Sequence, residues 1–183
     1  APDLFLHSCC APCSSYVLEY LCKYFCITVF YYNPNISASE EYRKRVAEQK
    51  RLIEAYNREE KGYPIRIIEG DYEPERFYEI AKGFEACPEG GERCFRCFDL
   101  RLRETAKRAK EGGYDYFCTT LTISPLKNAV KLNEIGQALS GEYGVSWLPS
   151  DFKKRNGYKR SIELSAEYEL YRQNYCGCAF SRR

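Results

Sequence analysis

Seven of the chain's eleven cysteines fall in three short clusters: Cys9, Cys10 and Cys13, then Cys94 and Cys97, then Cys176 and Cys178. Clustered thiolates bind zinc or iron–sulfur clusters, or do redox work. One histidine is too few for the His-rich zinc hydrolases. Eleven is odd, so complete pairing is excluded, and 183 residues do not need a disulfide scaffold. Cys9 and Cys10 are adjacent, so their sulfurs converge only where a strand breaks into a turn. Pro12 implies such a break, followed by a helix whose free N–H groups favour thiolates. Cys94-x-x-Cys97 brings two sulfurs to one centre for zinc, an iron–sulfur cluster or a redox disulfide. With Cys9 and Cys10 it supplies four thiolates, the number a 4Fe–4S cluster takes. Cys87 is a competing ligand. Cys176-Gly177-Cys178 is a candidate strained disulfide or a pair of metal ligands.

The other reactive types read as structural. Cys22, Cys26 and Cys118 sit within apolar runs and are expected in the core. His7 is expected to be packed and hydrogen-bonded, and Asp99 to point outward.

These residues need elements to position them. Residues 4–6 form an apolar first strand, and a helix runs from Pro12 through Leu21 and Cys22. Residues 26–32 are β-branched and aromatic, a second strand closed by Asn33-Pro34-Asn35. A long charged helix follows, starting near Ser37 with Glu40 and Glu41 and ending near Glu60. Residues 65–68 are a third strand, Pro74 opens a helix, 87–93 is a loop, and Cys94 starts another helix. A fourth strand is expected over 114–123, a helix over 127–139 and a fifth strand over 145–148. The remainder reads as basic and mostly helical. Strand alternating with helix predicts an α/β fold, an open five-stranded, mainly parallel sheet with helices on both faces. Ligands in such folds bind beyond the carboxyl ends of the strands, where Ser8–Cys13 and 119–124 lie. One domain over 1–183 is expected, with 152–183 as a basic helical C-terminal extension.

Hydrophobic residues make up 44% and charged residues 30%, an ordinary soluble composition that excludes disorder. No apolar run is long enough for a membrane span and nothing reads as a signal peptide, which points to the cytoplasm. The net charge of +2 is unevenly placed: residues 152–183 hold eight Lys or Arg and three Glu. Tyr158, Tyr171 and other aromatics are interleaved with those cations, a pattern suited to single-stranded nucleic acid or, more plainly, to a solvated amphipathic helix.

The stretches HSCCAPCS, PEGGERCFRCF, TTLTISPLKN, DFKKRNGY and LYRQNYCGCAFS together resemble the QueH-type epoxyqueuosine reductases, in order and over nearly the whole chain. The resemblance implies reduction of epoxyqueuosine to queuosine at the wobble position of tRNA, without cobalamin. It implies a 4Fe–4S cluster and an additional mononuclear metal ion, iron, fed by an electron donor of unknown identity. It also implies the nucleotide-binding α/β fold of PP-loop (HUP-like) enzymes. Those enzymes hold ATP phosphates with a Gly-rich S-G-G-x-D-S turn. Here Ser8-Cys9-Cys10-Ala11-Pro12-Cys13-Ser14 stands in its place, so no ATP binding is expected. Cys87 departs from the family's loop and is the weaker ligand.

The site expected on these grounds has Cys9, Cys10, Cys94 and Cys97 on the cluster. Cys13 is the substitute ligand or binds the extra metal. Cys176 and Cys178 ligate that metal or relay electrons as a dithiol. Lys153, Lys154, Arg155 and Lys159 are expected to pair with phosphates of the anticodon arm while Tyr158 or Tyr171 stacks on a base. The competing readings are a PP-loop tRNA sulfurtransferase, which should keep a Gly-rich turn, and a zinc-stabilised RNA-binding module.

Overall fold

The structure is a computed structural model and describes residues 1–181. Arg182 and Arg183, two of the tail's eight basic residues, lie outside the described residues. Strands β1 (Asp3–His7), β2 (Cys26–Tyr31), β3 (Arg66–Glu69), β4 (Tyr116–Thr119) and β5 (Ser146–Trp147) form one sheet in the order β3-β2-β1-β4-β5. Every pairing is parallel. The chain builds outward from β1 to β3, then returns to place β4 on the other side of β1. That reversal is the switch point where open parallel sheets form their ligand crevice.

Both faces are covered, and the alternation of side chains along the strands assigns them. Leu4, Leu6, Ile27 and Val29 face α1 (Ala11–Leu21) and α2 (Ser39–Arg58), which contribute Leu18, Leu52 and Tyr56. Phe5, Phe30, Phe117 and Trp147 face the other way. They meet α4 (Glu92–Glu111) through Leu102 and Ala106 and α5 (Ala129–Tyr143) through Leu132 and Leu139, while α3 (Pro74–Ala81) packs on α4. A last helix, α6 (Gly157–Glu167), lies against α1.

Three expectations need correcting. The fourth strand ends at Thr119, not 123, and a 3₁₀ turn over Leu121–Ile123 follows. The Thr-rich run has strand propensity, but the Thr119 hydroxyl accepts the Leu121 N–H at 3.2 Å and bends the chain out of the sheet. The helix carrying the C-x-x-C motif begins at Glu92, capped by Gly91, so both cysteines are inside it. Among the described residues after 152, only α6 is helical. Beyond it, Glu169 has φ 52° and the chain runs irregularly back to the cysteine clusters.

Candidate active site

The strand β1 delivers Ser8 and Cys9 past the sheet edge, and Cys10 is the N-cap of α1. With Cys13 one turn on, three sulfurs lie within 4.8 Å of one another. Cys9 Sγ is 3.8 Å from Cys10 Sγ and 3.7 Å from the Thr120 hydroxyl at the end of β4. Ser8 is held below them by the Gln49 amide oxygen, which accepts its hydroxyl at 2.6 Å. Hydrogen bonding from Cys10 and Cys13 holds the Cys9 pKa well below that of an ordinary thiol, against the opposing effect of burial. Cys10 is pushed up to about 12: Cys13 draws it down, but the Cys9 charge and burial outweigh that. The three share protons so that one ionises first.

Cys94 and Cys97 are three residues apart on one face of α4. Together with Cys176 and Cys178 they line an enclosed chamber of about 80 Å³. The Gly90 N–H donates to Cys94 Sγ and the Phe180 N–H to Cys178 Sγ, both at 3.3 Å, and the Ser181 hydroxyl is 2.8 Å from Cys176 Sγ. Hydrogen bonding from Cys178 lowers the Cys176 pKa well below the usual thiol value, while burial pushes Cys97 up to about 11. Gly177 has φ 110°, and a Cβ there would come within 2.8 Å of Ile36, so only glycine makes this turn. All cysteines carry free thiols, Cys176 and Cys178 included.

The final segment reaches the chamber because α2 holds it. Arg45, 2% exposed, donates to the Cys176 carbonyl at 2.8 Å and the Tyr175 carbonyl at 3.1 Å while pairing with Glu41. The Ser37 N–H donates to Gly177 O, and the Ser37 hydroxyl accepts the Ala179 N–H.

Two cations organise the thiols. Arg101, 3% exposed on α4, donates to Asn33 at 3.2 Å. Burial disfavours its charge, but Cys97, Cys9, Cys176 and Cys94 all act on it and hold its pKa up. Lys127 likewise loses solvent and is held charged by Cys9, Cys13 and Cys176. Sequence reasoning singled out neither. Arg101 was legible, since it is four residues after Cys97 and seven after Cys94, on the same helical face. Lys127 sits in a loop, where no periodicity marks it.

Beside the chamber is an open cleft of about 440 Å³, in the size range of a nucleoside-sized ligand. Cys13, Tyr158, Arg172, Gln173 and Asn174 line it, and Lys127 and Cys176 belong to both spaces. The side-chain oxygen of Gln173 is buried without a hydrogen-bond partner.

The remaining expected residues are placed as follows. Lys154, Arg155, Tyr158 and Lys159 are exposed. Lys153 turns inward, donating to the Thr122 carbonyl at 2.9 Å and pairing with Asp151 at 3.3 Å. Tyr171 donates its hydroxyl to Glu41 at 2.6 Å, and Lys44 caps its ring at 3.6 Å. His7 is packed as expected: Nε2 donates to the Tyr32 carbonyl at 3.0 Å, and Nδ1 lies 2.9 Å from the Thr119 hydroxyl. Cys22 and Cys118 are fully buried and Cys26 is half-buried. Asp99 faces outward and pairs with Arg103.

Three separate segments thus converge on one thiol-lined crevice. The chain is 47% identical over 182 residues to epoxyqueuosine reductase QueH of Staphylococcus epidermidis, covering 98% of this chain and 76% of that one. It is 44% identical to the Streptococcus pyogenes protein of the same name, covering 100% and 71%, and 35% identical to that of Thermotoga maritima, covering 97% and 89%. Residues 4–183, from β1 to the final basic residues and including every cysteine of the crevice, match the epoxyqueuosine reductase QueH family, and the chain belongs to it.

Proposed function

We propose that this protein reduces epoxyqueuosine to queuosine at the wobble position of tRNA, in the cytoplasm. The observation that carries the reading is the shared wall of Lys127 and Cys176 between a thiol-lined chamber and a nucleoside-sized cleft. The overall reaction takes two electrons and two protons, opens the epoxide, and releases its oxygen as water with an alkene left behind.

The donor set fits an iron–sulfur cluster. The candidate ligands are all thiols, N–H groups point at Cys94 and Cys178, and the buried Arg101 and half-buried Lys127 offset the negative charge that thiolates bring. Cys9, Cys10, Cys94 and Cys97 would hold a 4Fe–4S cluster, which would supply electrons one at a time. Cys13, with Cys176 and Cys178, would be left for a second metal ion, iron, which would supply Lewis acidity toward the epoxide oxygen.

The chain's own groups do the rest. Gln173 Oε1 accepts a hydrogen bond from the bound nucleoside, satisfying its unpartnered oxygen. Lys127 Nζ donates a hydrogen bond to the epoxide oxygen as negative charge builds there. The Cys176–Cys178 pair, when not a metal ligand, carries two electrons in its reduced form and becomes a disulfide on giving them up. The exposed cations Lys154, Arg155 and Lys159, with Tyr158, form the side from which the anticodon arm approaches, while Lys153 and Tyr171 are held in contacts within the chain.

The test is anaerobic purification with iron and sulfide analysis, followed by an assay on tRNA carrying epoxyqueuosine. The wild type should contain about four iron atoms per cluster and as many sulfides, and should convert the nucleoside. Single Cys→Ser changes at positions 9, 10, 94 and 97 should each lose cluster iron. Colourless, sulfide-free protein that leaves the epoxide intact would overturn the reading.

A further inference from the structure

The outer face of α1 and the turn after it carry a row of tyrosines that the reaction does not use. Tyr16 and Tyr20 are one helical turn apart on α1, and Tyr24 follows in the turn beyond its end at Leu21. Their ring centroids are 5.9 Å apart in both steps, with planes tilted by 40° and 53°. Tyr20 is 37% exposed and Tyr24 59% exposed, so planar faces are presented to solvent. The row floors a groove of about 560 Å³ whose far wall includes Leu148, Lys154 and Arg155.

The charge of this groove is one-sided. Glu19, on the same helix, is taken up by Arg160 at 3.0 Å and Lys61 at 3.5 Å. Asp151, at the rim, is taken up by Lys153. Lys154 and Arg155 are exposed and make no ion pair among the described residues. The groove and the cleft share no lining residue but flank the same contact between α1 and α6. Cys13 is three residues before Tyr16, and Tyr20 lies two turns, about 10 Å, beyond Cys13. Gly157 packs on the Tyr16 ring so closely that a Cβ would come within 2.7 Å of it, and the next residue, Tyr158, lines the cleft.

We propose that this tyrosine row is the seat of unpaired bases flanking the reacting nucleotide of the RNA substrate. Bases stack on Tyr20 and Tyr24, and phosphates pair with Lys154 and Arg155. Exposed aromatic faces beside unpaired cations match a polyanion with planar groups, because every base offers a π face and every linkage a charge. Bases reach such rings only where the RNA is single-stranded, as in a loop. The proposal rests on the RNA-directed reading above and adds the path of the strand away from the crevice.

The experiment uses the anaerobically purified full chain and an anticodon stem–loop with unmodified guanosine at the wobble position, with binding read by fluorescence anisotropy. Tyr20→Ala/Tyr24→Ala should weaken binding about tenfold or more. Tyr20→Phe/Tyr24→Phe should restore it, and Tyr20→Leu/Tyr24→Leu should not. Lys154→Ala/Arg155→Ala should reduce the slope of log affinity against log salt by about one to two. Unchanged affinity in the Ala pair overturns the proposal, as does full affinity in the Leu pair, which would show plain apolar contact. A wild-type dimer that the Ala pair converts to monomer with RNA affinity unchanged overturns it in favour of a second copy. If the wild type binds and the Ala pair does not, yet epoxyqueuosine in the RNA is untouched, the groove stands and the reductase reading falls.

Discussion

Lys127 lines both chamber and cleft, where the charges of Cys9, Cys13 and Cys176 act on it. Lys127→Met should lower kcat by about 100-fold or more, the usual cost of losing one donor at a developing anion, with circular dichroism unchanged. Cys176→Ser/Cys178→Ser should abolish epoxide reduction while the 4Fe–4S spectrum and the sulfide content stay at the wild-type level. Retained turnover would make that pair incidental. His7 gives a pH signature. Burial first, and the Arg101 charge second, lower its pKa from 6.5 to about 4. Between those values the unfolded chain binds the proton and the folded one does not, so stability is full above pH 6.5 and falls as the pH drops toward 4. The loss reaches about 3 kcal/mol. Urea melts at pH 7 and pH 4.5 should show this slope in the wild type and not in His7→Gln. Cysteine spacing made most of this site legible, because thiol ligands need short spacings at turns and helix starts. Lys127 was not legible, since its role depends on where a loop falls in space.

The helix α2 acts as a clamp for the irregular segment after α6. Arg45→Met removes two donations to the Tyr175 and Cys176 carbonyls. It should cost about 2–3 kcal/mol and make residues 171–181 a cleavage point in limited proteolysis, ahead of any cut in the sheet. On the opposite face, Gly136 in α5 touches the Trp147 ring so closely that an alanine Cβ would sit 2.2 Å from it. Gly136→Ala should lower Tm by about 3–10 °C through overpacking, with iron content unaffected. Helices with an apolar face or a charged N-terminal signature were placed from sequence, as α1, α2 and, apart from its first turn, α4 show. Errors gathered where side chains redirect the backbone. The Thr119 hydroxyl ends β4 early, and the bonds from Ser37, Asn35 and Arg45 satisfy a tail that no longer needs to be helical.

At the scale of the molecule, the alternation of strand and helix was enough to predict a five-stranded α/β sheet with two helical layers. The order β3-β2-β1-β4-β5 was not written in any local pattern, because it depends on which strand pairs with β1 after α4. That order sets β1 and β4 side by side, so Cys9 and Thr120 meet at the switch point. A cofactor bound there would hold the three thiol segments together and would bind only the folded chain. Loading should therefore raise Tm by mass action. Differential scanning calorimetry of the anaerobically reconstituted and chelator-treated protein should show a higher Tm for the former. The gap should close in Cys94→Ser.

The last of the three thiol segments emerges from the ribosome long after the first. By the time Cys176 and Cys178 emerge, all five strands and the helices that cover them are outside the ribosome and available to fold, with Cys9, Cys10 and Cys13 at the sheet edge. A nascent chain thus offers an open, thiol-lined basin before Arg45 fastens the final segment across it. A cofactor would be delivered most easily in that interval, and a chain truncated after α6 would be folded, loadable and unable to close.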